Sequence, residues 1–253
     1  RGTTYIIAGN ELIGAAKLAA LAASQSSLRV GGGVSKIFVA EADINFFKPQ
    51  ILEEMIIPFS DTNHLINIIQ QTNISSLIYG CGMDINKQNI ELLQFLLKQS
   101  FGIVLDASAF SMMKNEKEMF LELLSNRKAI TILTPHKGEF ETIFSNTKNK
   151  IESIQDASKL TNSIILYKGN DTVVASPNGD IFINYFSSPY LATAGSGDVL
   201  AGMIGGFLSQ QYSGIDATLL GCYVHSQCGI SLNKGLIASD LIDEIPTVLK
   251  QID

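Results

Sequence analysis

The sequence has no tryptophan, three cysteines and little charge, 17% of its 253 residues. Low charge without long polar tracts excludes an intrinsically disordered chain. Cys81, Cys222 and Cys228 form neither a paired framework nor a C-x-x-C metal spacing, so no disulfide scaffold is expected and reduced thiols point to the cytoplasm. Lysine and arginine total 18 against 24 acidic residues, a net charge of −6, and no basic cluster is dense enough to neutralise a run of phosphates. Nucleic acid is therefore excluded as a partner. The longest nearly apolar window, residues 12–23, is broken by Lys17 and falls short of the ~18 residues of a membrane span. A basic-then-apolar secretion signal is also missing from the first residues, so a soluble protein is expected. The chain begins at Arg1, which leaves open whether it was excised from something longer.

Short apolar, β-branched runs alternate with longer stretches of helical period. That alternation is the pattern of crossover units on a mainly parallel sheet, the α/β class. Strands are expected at residues 5–8, 36–40, 77–79, 102–105, 129–133 and 164–167, most of them apolar on both faces. Helices are expected at residues 11–23, 63–71, 87–99, 114–125, 199–210, 216–232 and 239–251, the last two capped by Asp216 and Ser239. One segment departs from the alternation: residues 172–176 and 180–185 flank Pro177-Asn178-Gly179, a turn signal that predicts an antiparallel hairpin at one edge of the sheet. With neither a linker, a composition shift nor an internal repeat, residues 1–253 are expected to form a single domain.

The most informative stretch is Ala192-Thr193-Ala194-Gly195-Ser196-Gly197-Asp198-Val199-Leu200-Ala201-Gly202. Glycines at 195 and 197, where a helix begins, leave several unpaired N–H groups free to converge on one anion. Asp198 then lies in the first turn, placed to accept a proton beside a phosphorus. Taken alone, G-x-G-D also describes a capped helix after a tight turn. Gly202, Gly205 and Gly206 in the same helix lower its intrinsic stability by roughly 1 kcal/mol each relative to alanine. Such a run implies close packing of that helix on the sheet.

Two more polar groups follow predicted strands. Thr134-Pro135-His136-Lys137-Gly138-Glu139-Phe140 comes after residues 129–133, and Lys168-Gly169-Asn170-Asp171-Thr172 comes after residues 164–167. Ligand crevices of parallel sheets lie beyond the carboxyl ends of strands, so both groups are candidates for one site. A turn with Pro135 and Gly138, and a solvated lysine at 168, are the alternative readings. Gly80-Cys81-Gly82-Met83-Asp84 and Asp106-Ala107 occupy similar positions with weaker signals. His64 and His225 are assigned surface and helix-face roles. Residues 9–14 have the glycine spacing of a Walker A loop but lack its Lys-Ser/Thr, and a G-x-G-x-x-G after the first strand is absent.

Taken together and in this order, Gly14-Ala15-Ala16, Gly80-Cys81-Gly82, Asp106-Ala107, TPHKGEF from Thr134, KGNDT from Lys168 and LATAGSGDVLAG from Leu191 resemble the NAD(P)H-hydrate dehydratase family. The resemblance spans nearly the whole chain. It implies a ribokinase-like three-layer α/β/α fold and dehydration of the S-epimer of NADH or NADPH hydrate at the expense of a nucleotide. Asp198 would be the base, with Gly195, Ser196 and Gly197 forming the anion cradle. Lys168, Gly169, Asn170, Asp171, Thr172 and Gly197 would bind the nucleotide, ADP in bacterial members of this kind and ATP in others. Ala15, Gly80, Gly82, His136 and Asp198 would face the hydrate. Mg²⁺ would accompany the phosphates, its protein ligands unassigned and Glu139 the first candidate. A homo-oligomer, in related proteins often a tetramer, is implied as well.

The sequence departs from the family at Gly80-Cys81-Gly82-Met83-Asp84, where the family has GPGLG, and at Glu11-Leu12-Ile13, ahead of Gly14. Many members carry an epimerase domain in front of this one. Two other readings stay open: a small-molecule kinase of the same fold, acting on a pyrimidine or thiazole alcohol, and a nucleotide-binding sensor without catalysis.

Overall fold

The computed structural model describes residues 1–9, 13–50, 53–144 and 149–252. The chain alternates through β1 (Thr3–Ile7), α1 (Ile13–Arg29), β2 (Val34–Ala40), α2 (Ile44–Phe47), β3 (Met55–Phe59), α3 (Thr62–Gln70), β4 (Ser76–Tyr79) and α4 (Lys87–Leu97). It continues through β5 (Gly102–Leu105), α5 (Ser108–Met113), α6 (Lys117–Ser125), β6 (Thr131–Leu133), α7 (Lys137–Ile143), α8 (Lys150–Thr161) and β7 (Ile164–Tyr167). The hairpin β8 (Thr172–Ala175) and β9 (Ile181–Asn184) precedes three helices, α9 (Ser196–Ser209), α10 (Gly214–Leu232) and α11 (Ala238–Leu249).

The nine strands among the described residues join one sheet in the order β3-β2-β1-β4-β5-β6-β7-β8-β9. Pairings from β3 through to β7 are parallel, and β8 and β9 add antiparallel at one edge. Successive side chains of a strand face opposite sides of the sheet, and the apolar runs fill both. Ile6, Ile37, Ile78, Val104, Ile132 and Leu166 pack under α1, α9, α10 and α11. Tyr5, Ile7, Phe38, Leu77, Tyr79, Leu105 and Leu133 pack against the helices from α3 to α8. The result is the expected three-layer α/β/α arrangement, a ribokinase-like fold.

The edge strand β3 has no counterpart among the expected strands. Pro58 reads against a strand interior, but at an edge its missing N–H donor is tolerated. Both expected C-terminal caps move as well. Ser213, not Asp216, caps α10, its Oγ accepting from the Asp216 N–H at 3.1 Å. α11 follows Ile237 rather than opening at a Ser239 cap, and Asp240 accepts the Ile237 N–H at 2.9 Å. The glycines of α9 act as the sequence suggests, against two neighbours rather than one. A Cβ on Gly205 would come 2.8 Å from Ile78 of the sheet, whereas on Gly202 or Gly206 it would collide with the backbone of α1 at Ala23 or Ser27. α9 is thereby wedged between helix and sheet, its first turn fixed over the strand ends. Among the described residues no helix is long and apolar enough to cross a membrane.

Candidate active site

Four adjacent strands, β4 to β7, end on the same side, and their loops are joined by backbone hydrogen bonds. The Asp106 N–H donates to the Tyr79 carbonyl at 3.1 Å, Thr134 N–H to Leu105 at 3.0 Å and Lys168 N–H to Pro135 at 2.8 Å. Register alone therefore brings residues 80–82, 106, 134–136 and 168–169 together. Asp106 is buried, and its Oδ1 accepts from Lys168 Nζ at 2.6 Å and from Thr134 Oγ1 at 2.9 Å. Ala107, the next residue, holds φ at +48° as the chain turns into α5, a conformation that a non-glycine residue keeps only when its surroundings impose it.

Lys168 Nζ also lies 3.6 Å from Glu139 Oε2. Burial works against its charge, but Asp106 and Glu139 outweigh burial and the Lys168 pKa stands above its ordinary value. Glu139 and His136 cap α7 reciprocally. Glu139 Oε2 accepts the His136 N–H at 2.8 Å, and His136 Nδ1 accepts the Glu139 N–H at 3.2 Å.

Gly195, at φ +85°, turns the chain into α9. A Cβ on Gly197 would lie 3.5 Å from both Asp106 Oδ2 and Lys168 Nζ, so the first turn of α9 faces the ion pair. Asp198 follows on the inner side. Burial and the Asp106 carboxylate push its pKa up to about 6, while a hydrogen bond from the Cys81 thiol and the Lys168 charge pull it back. Cys81 Sγ, an Asp106 oxygen and an Asp198 oxygen all lie within 4.8 Å of one another. Burial and the two carboxylates push the Cys81 thiol pKa up, so it remains a neutral donor.

A cavity of about 440 Å³ opens beside this group, bounded by the strand-end residues His136, Lys168, Gly169, Asn170 and Thr172 and by Ser196 and Gly197 of α9. Of the site residues expected from the sequence, these seven line the cavity, and Gly195 and Asp198 are not part of its lining. Asp171 does not line the cavity: Lys150 Nζ donates to its carbonyl and to Oδ1, both at 2.7 Å, and so closes the 168–172 loop from outside. Gly80 and Gly82, at φ +109° and +64°, bend the loop after β4 against Ala109 and Ala16. Ala15 falls within α1, its side chain outside the described residues, as Glu11 and Leu12 are altogether. His64 is exposed at the start of α3, where its Nδ1 accepts from the Ser60 N–H at 3.2 Å.

The helix-face role assigned to His225 is corrected. It is 8% exposed, lines the cavity, and its Nε2 lies 2.9 Å from Ser196 Oγ. Cys222 and Ser226 of α10 also line the cavity and were missed. Cys222, His225 and Ser226, three and four residues apart, share one face of α10, and that spacing was the available signal.

Comparison with known proteins agrees with the geometry. A profile of the family described as NAD(P)H-hydrate dehydratase matches residues 4–249. The chain belongs to the NAD(P)H-hydrate dehydratase family. It is 30% identical to the bifunctional NAD(P)H-hydrate repair enzyme Nnr of Dictyoglomus turgidum, a match covering 100% of this chain and 51% of that protein. The chain thus spans about half the length of that relative. It is 28% identical to the ADP-dependent (S)-NAD(P)H-hydrate dehydratase of Lactococcus lactis, over 100% of this chain and 90% of the other. The structure of the ADP/ATP-dependent NAD(P)H-hydrate dehydratase from Bacillus subtilis, co-crystallised with ATP/Mg²⁺ and soaked with CoA, superposes with a TM-score of 0.83. There the identity is 26%, over 100% of this chain and 92% of the other.

Proposed function

We propose that residues 1–253 act as one catalytic domain that dehydrates the S-epimer of NADH or NADPH hydrate, consuming ADP or ATP. The observation that carries this reading is Asp198, a carboxyl with pKa near 6 at the mouth of α9, beside Gly197 and the Lys168–Asp106 pair. Near neutral pH it is ionised yet basic enough to take a proton.

Hydroxide is a poor leaving group, and phosphorylation of the ring hydroxyl turns it into a good one. Asp198 accepts the hydroxyl proton as the oxygen of the ring hydroxyl attacks the terminal phosphorus and the phosphoanhydride bond breaks. Backbone N–H groups around Gly195, Ser196 and Gly197 stabilise the charge of the phosphoryl group in transit. Phosphate then departs with the C–O electron pair, pushed by the ring nitrogen lone pair, and a proton from the adjacent ring carbon passes to the departing phosphate as its C–H pair becomes the restored double bond. Lys168, Gly169, Asn170 and Thr172 hold the nucleotide from the cavity wall, and His136, Gly80, Gly82 and Ala15 border the hydrate. Asp171 contributes by keeping that loop closed through Lys150.

Mg²⁺ requires hard oxygen donors. The Cys81, Asp106 and Asp198 group fits it poorly, because a thiol and the Lys168 ammonium share the place. Glu139 does not line the cavity but stands beside His136 and Lys168, which do; as an oxygen donor without a thiol at its side it is the first candidate for an ion carried in on phosphates, which would neutralise phosphate charge. A homo-oligomer fits the apolar edge made by β9 and the residues after it, where Ile183, Tyr185 and Phe186 are exposed, and the soluble nucleotide substrates fit the cytoplasm.

The test mixes the protein with hydrated NADH, Mg²⁺ and either ADP or ATP, and follows dihydronicotinamide absorbance together with phosphate release. Recovery of absorbance with stoichiometric phosphate is expected. A stable phosphorylated alcohol would instead indicate a small-molecule kinase, and binding without turnover a sensor.

A further inference from the structure

α10 presents one histidine to α9, and the partner it finds is the first residue of that helix. His225 Nε2 lies 2.9 Å from Ser196 Oγ and 3.0 Å from the Ser196 carbonyl oxygen. A carbonyl only accepts, so a favourable 3.0 Å contact requires the proton on Nε2. With the proton on Nδ1, two lone pairs would face each other at that distance. Since Nε2 is the donor, Ser196 Oγ can only share in accepting from it, and the hydroxyl keeps its own proton for another acceptor.

In a helix interior that proton would return to a carbonyl three or four residues back. Ser196 follows the Gly195 cap, so no earlier turn of α9 stands behind it, and the carbonyl three residues back, Thr193, already accepts the Ser196 N–H at 3.3 Å. What Ser196 does border is the cavity, alongside Gly197 and Lys168. We infer that His225 is a positioning residue: by donating Nε2–H to Ser196 it turns the Ser196 hydroxyl into a hydrogen-bond donor aimed at a phosphate oxygen of the bound nucleotide. The imidazole contributes no charge of its own, because burial, with Lys168 nearby, pulls its pKa down to about 4.

This inference rests on the cavity being a nucleotide site and not on dehydration. A protein that binds ADP but leaves the hydrate untouched would sink the proposed activity and spare the inference.

Two measurements test it on the full chain. With three histidines in the sequence, ring ¹⁵N–¹H correlation spectra identify His225 by its loss in His225→Gln. Its Nε2–H tautomer should persist unchanged from pH 5.5 to 8, and an Nδ1–H tautomer overturns the inference. Calorimetric titration then compares Mg²⁺–ADP with adenosine, which has no phosphate. Ser196→Ala and His225→Phe should each weaken ADP about tenfold and leave adenosine within twofold, and the double variant should be no weaker than about either single one. His225→Gln, whose amide can supply an N–H at similar reach, should bind ADP within threefold of the unaltered protein. Equal losses for adenosine and ADP would mean that a distorted cavity is responsible, and unaltered ADP binding by Ser196→Ala would mean that the hydroxyl makes no contact. Either result overturns the proposal. Should His225→Phe fail to fold, Ser196→Ala, His225→Gln and the spectra still decide.

Discussion

Two lysine–aspartate pairs flank the same loop, and they differ in almost nothing but their surroundings. Lys168 meets Asp106 at 2.6 Å and Lys150 meets Asp171 at 2.7 Å. The Asp106 side chain is 3% exposed, whereas that of Asp171 is 69% exposed. In the first pair the low local polarity makes each charge depend on the other, and the network extends to Glu139, Asp198 and the first turn of α9. In the second, water screens the exposed Asp171 carboxylate and the bond mainly ties a loop to α8. Equal geometry thus serves two purposes, an electrostatic fixture inside the site and a mechanical tie outside it.

The comparison breaks first if the inner pair proves dispensable. Lys168→Met leaves Asp106 buried without its cation, and removing one partner of such a pair costs about 3–5 kcal/mol. Urea unfolding should show that loss as a lower midpoint at unchanged slope, and Mg²⁺–ADP binding should weaken with it. A midpoint shift under about 1 kcal/mol would place the two lysines in one class. Asp198→Asn comes next and separates chemistry from binding. Turnover of the hydrate should fall by about 10²–10³, as for loss of a proton acceptor in the transition state, with ADP affinity within a few-fold. An unaltered rate would remove Asp198 from the mechanism.

How much of this was legible follows from what each residue needs. Gly195, Gly197 and Gly169 stand where a helix start or a loop requires an unobstructed backbone, and Pro135 and Gly138 punctuate a strand end, so GSGD, TPHKGE and KGNDT could be read locally. The Lys168–Asp106 pair joins residues 62 apart. Only the register of β5, β6 and β7 brings them together, and that register is a property of the sheet. Cys81 and His225 were hidden for the same reason: a cysteine in a glycine turn and a histidine in an apolar helix gain meaning only from Asp198 and Ser196 across the fold. The hairpin was legible because Pro177-Asn178-Gly179 announces its turn, and β3 was not, because an edge position excuses Pro58.

The inner network also sets a pH dependence whose sign can be worked out. Asp198 has a pKa of about 6 in the folded protein against the 3.8 of an ordinary aspartate. Between those values the folded state binds the extra proton, so this group's contribution to stability is full below pH 3.8 and is lost as pH rises through 6. A gap of about two pH units sets a ceiling of about 3 kcal/mol, and partial exposure brings the expected value to about 1–2 kcal/mol. Asp198→Asn, which resembles the protonated form, should therefore be more stable than the unaltered protein at pH 8 by that amount and equal to it near pH 3.8. Activity runs the other way, rising as pH passes 6 upward. Chemical denaturation at the two pH values, beside a turnover profile, checks both halves; equal stabilities at pH 8 would mean that Asp198 carries no strain.

The outer pair should give the smallest effects, and their pattern matters more than their size. Lys150→Ala removes two bonds at once, to the Asp171 carboxylate and to its carbonyl, whereas Asp171→Asn keeps the carbonyl bond. An exposed pair is worth about 0.2–1 kcal/mol, so neither variant should shift the unfolding midpoint by more than that. The carbonyl bond is the one that holds the backbone, so Lys150→Ala should weaken Mg²⁺–ADP two- to threefold and Asp171→Asn by less than twofold. High salt should erase the part due to the carboxylate and leave the rest. If Asp171→Asn weakened binding more than Lys150→Ala, the Asp171 carboxylate would be a ligand contact and not a tie, and the division between inner and outer pairs would have to be redrawn.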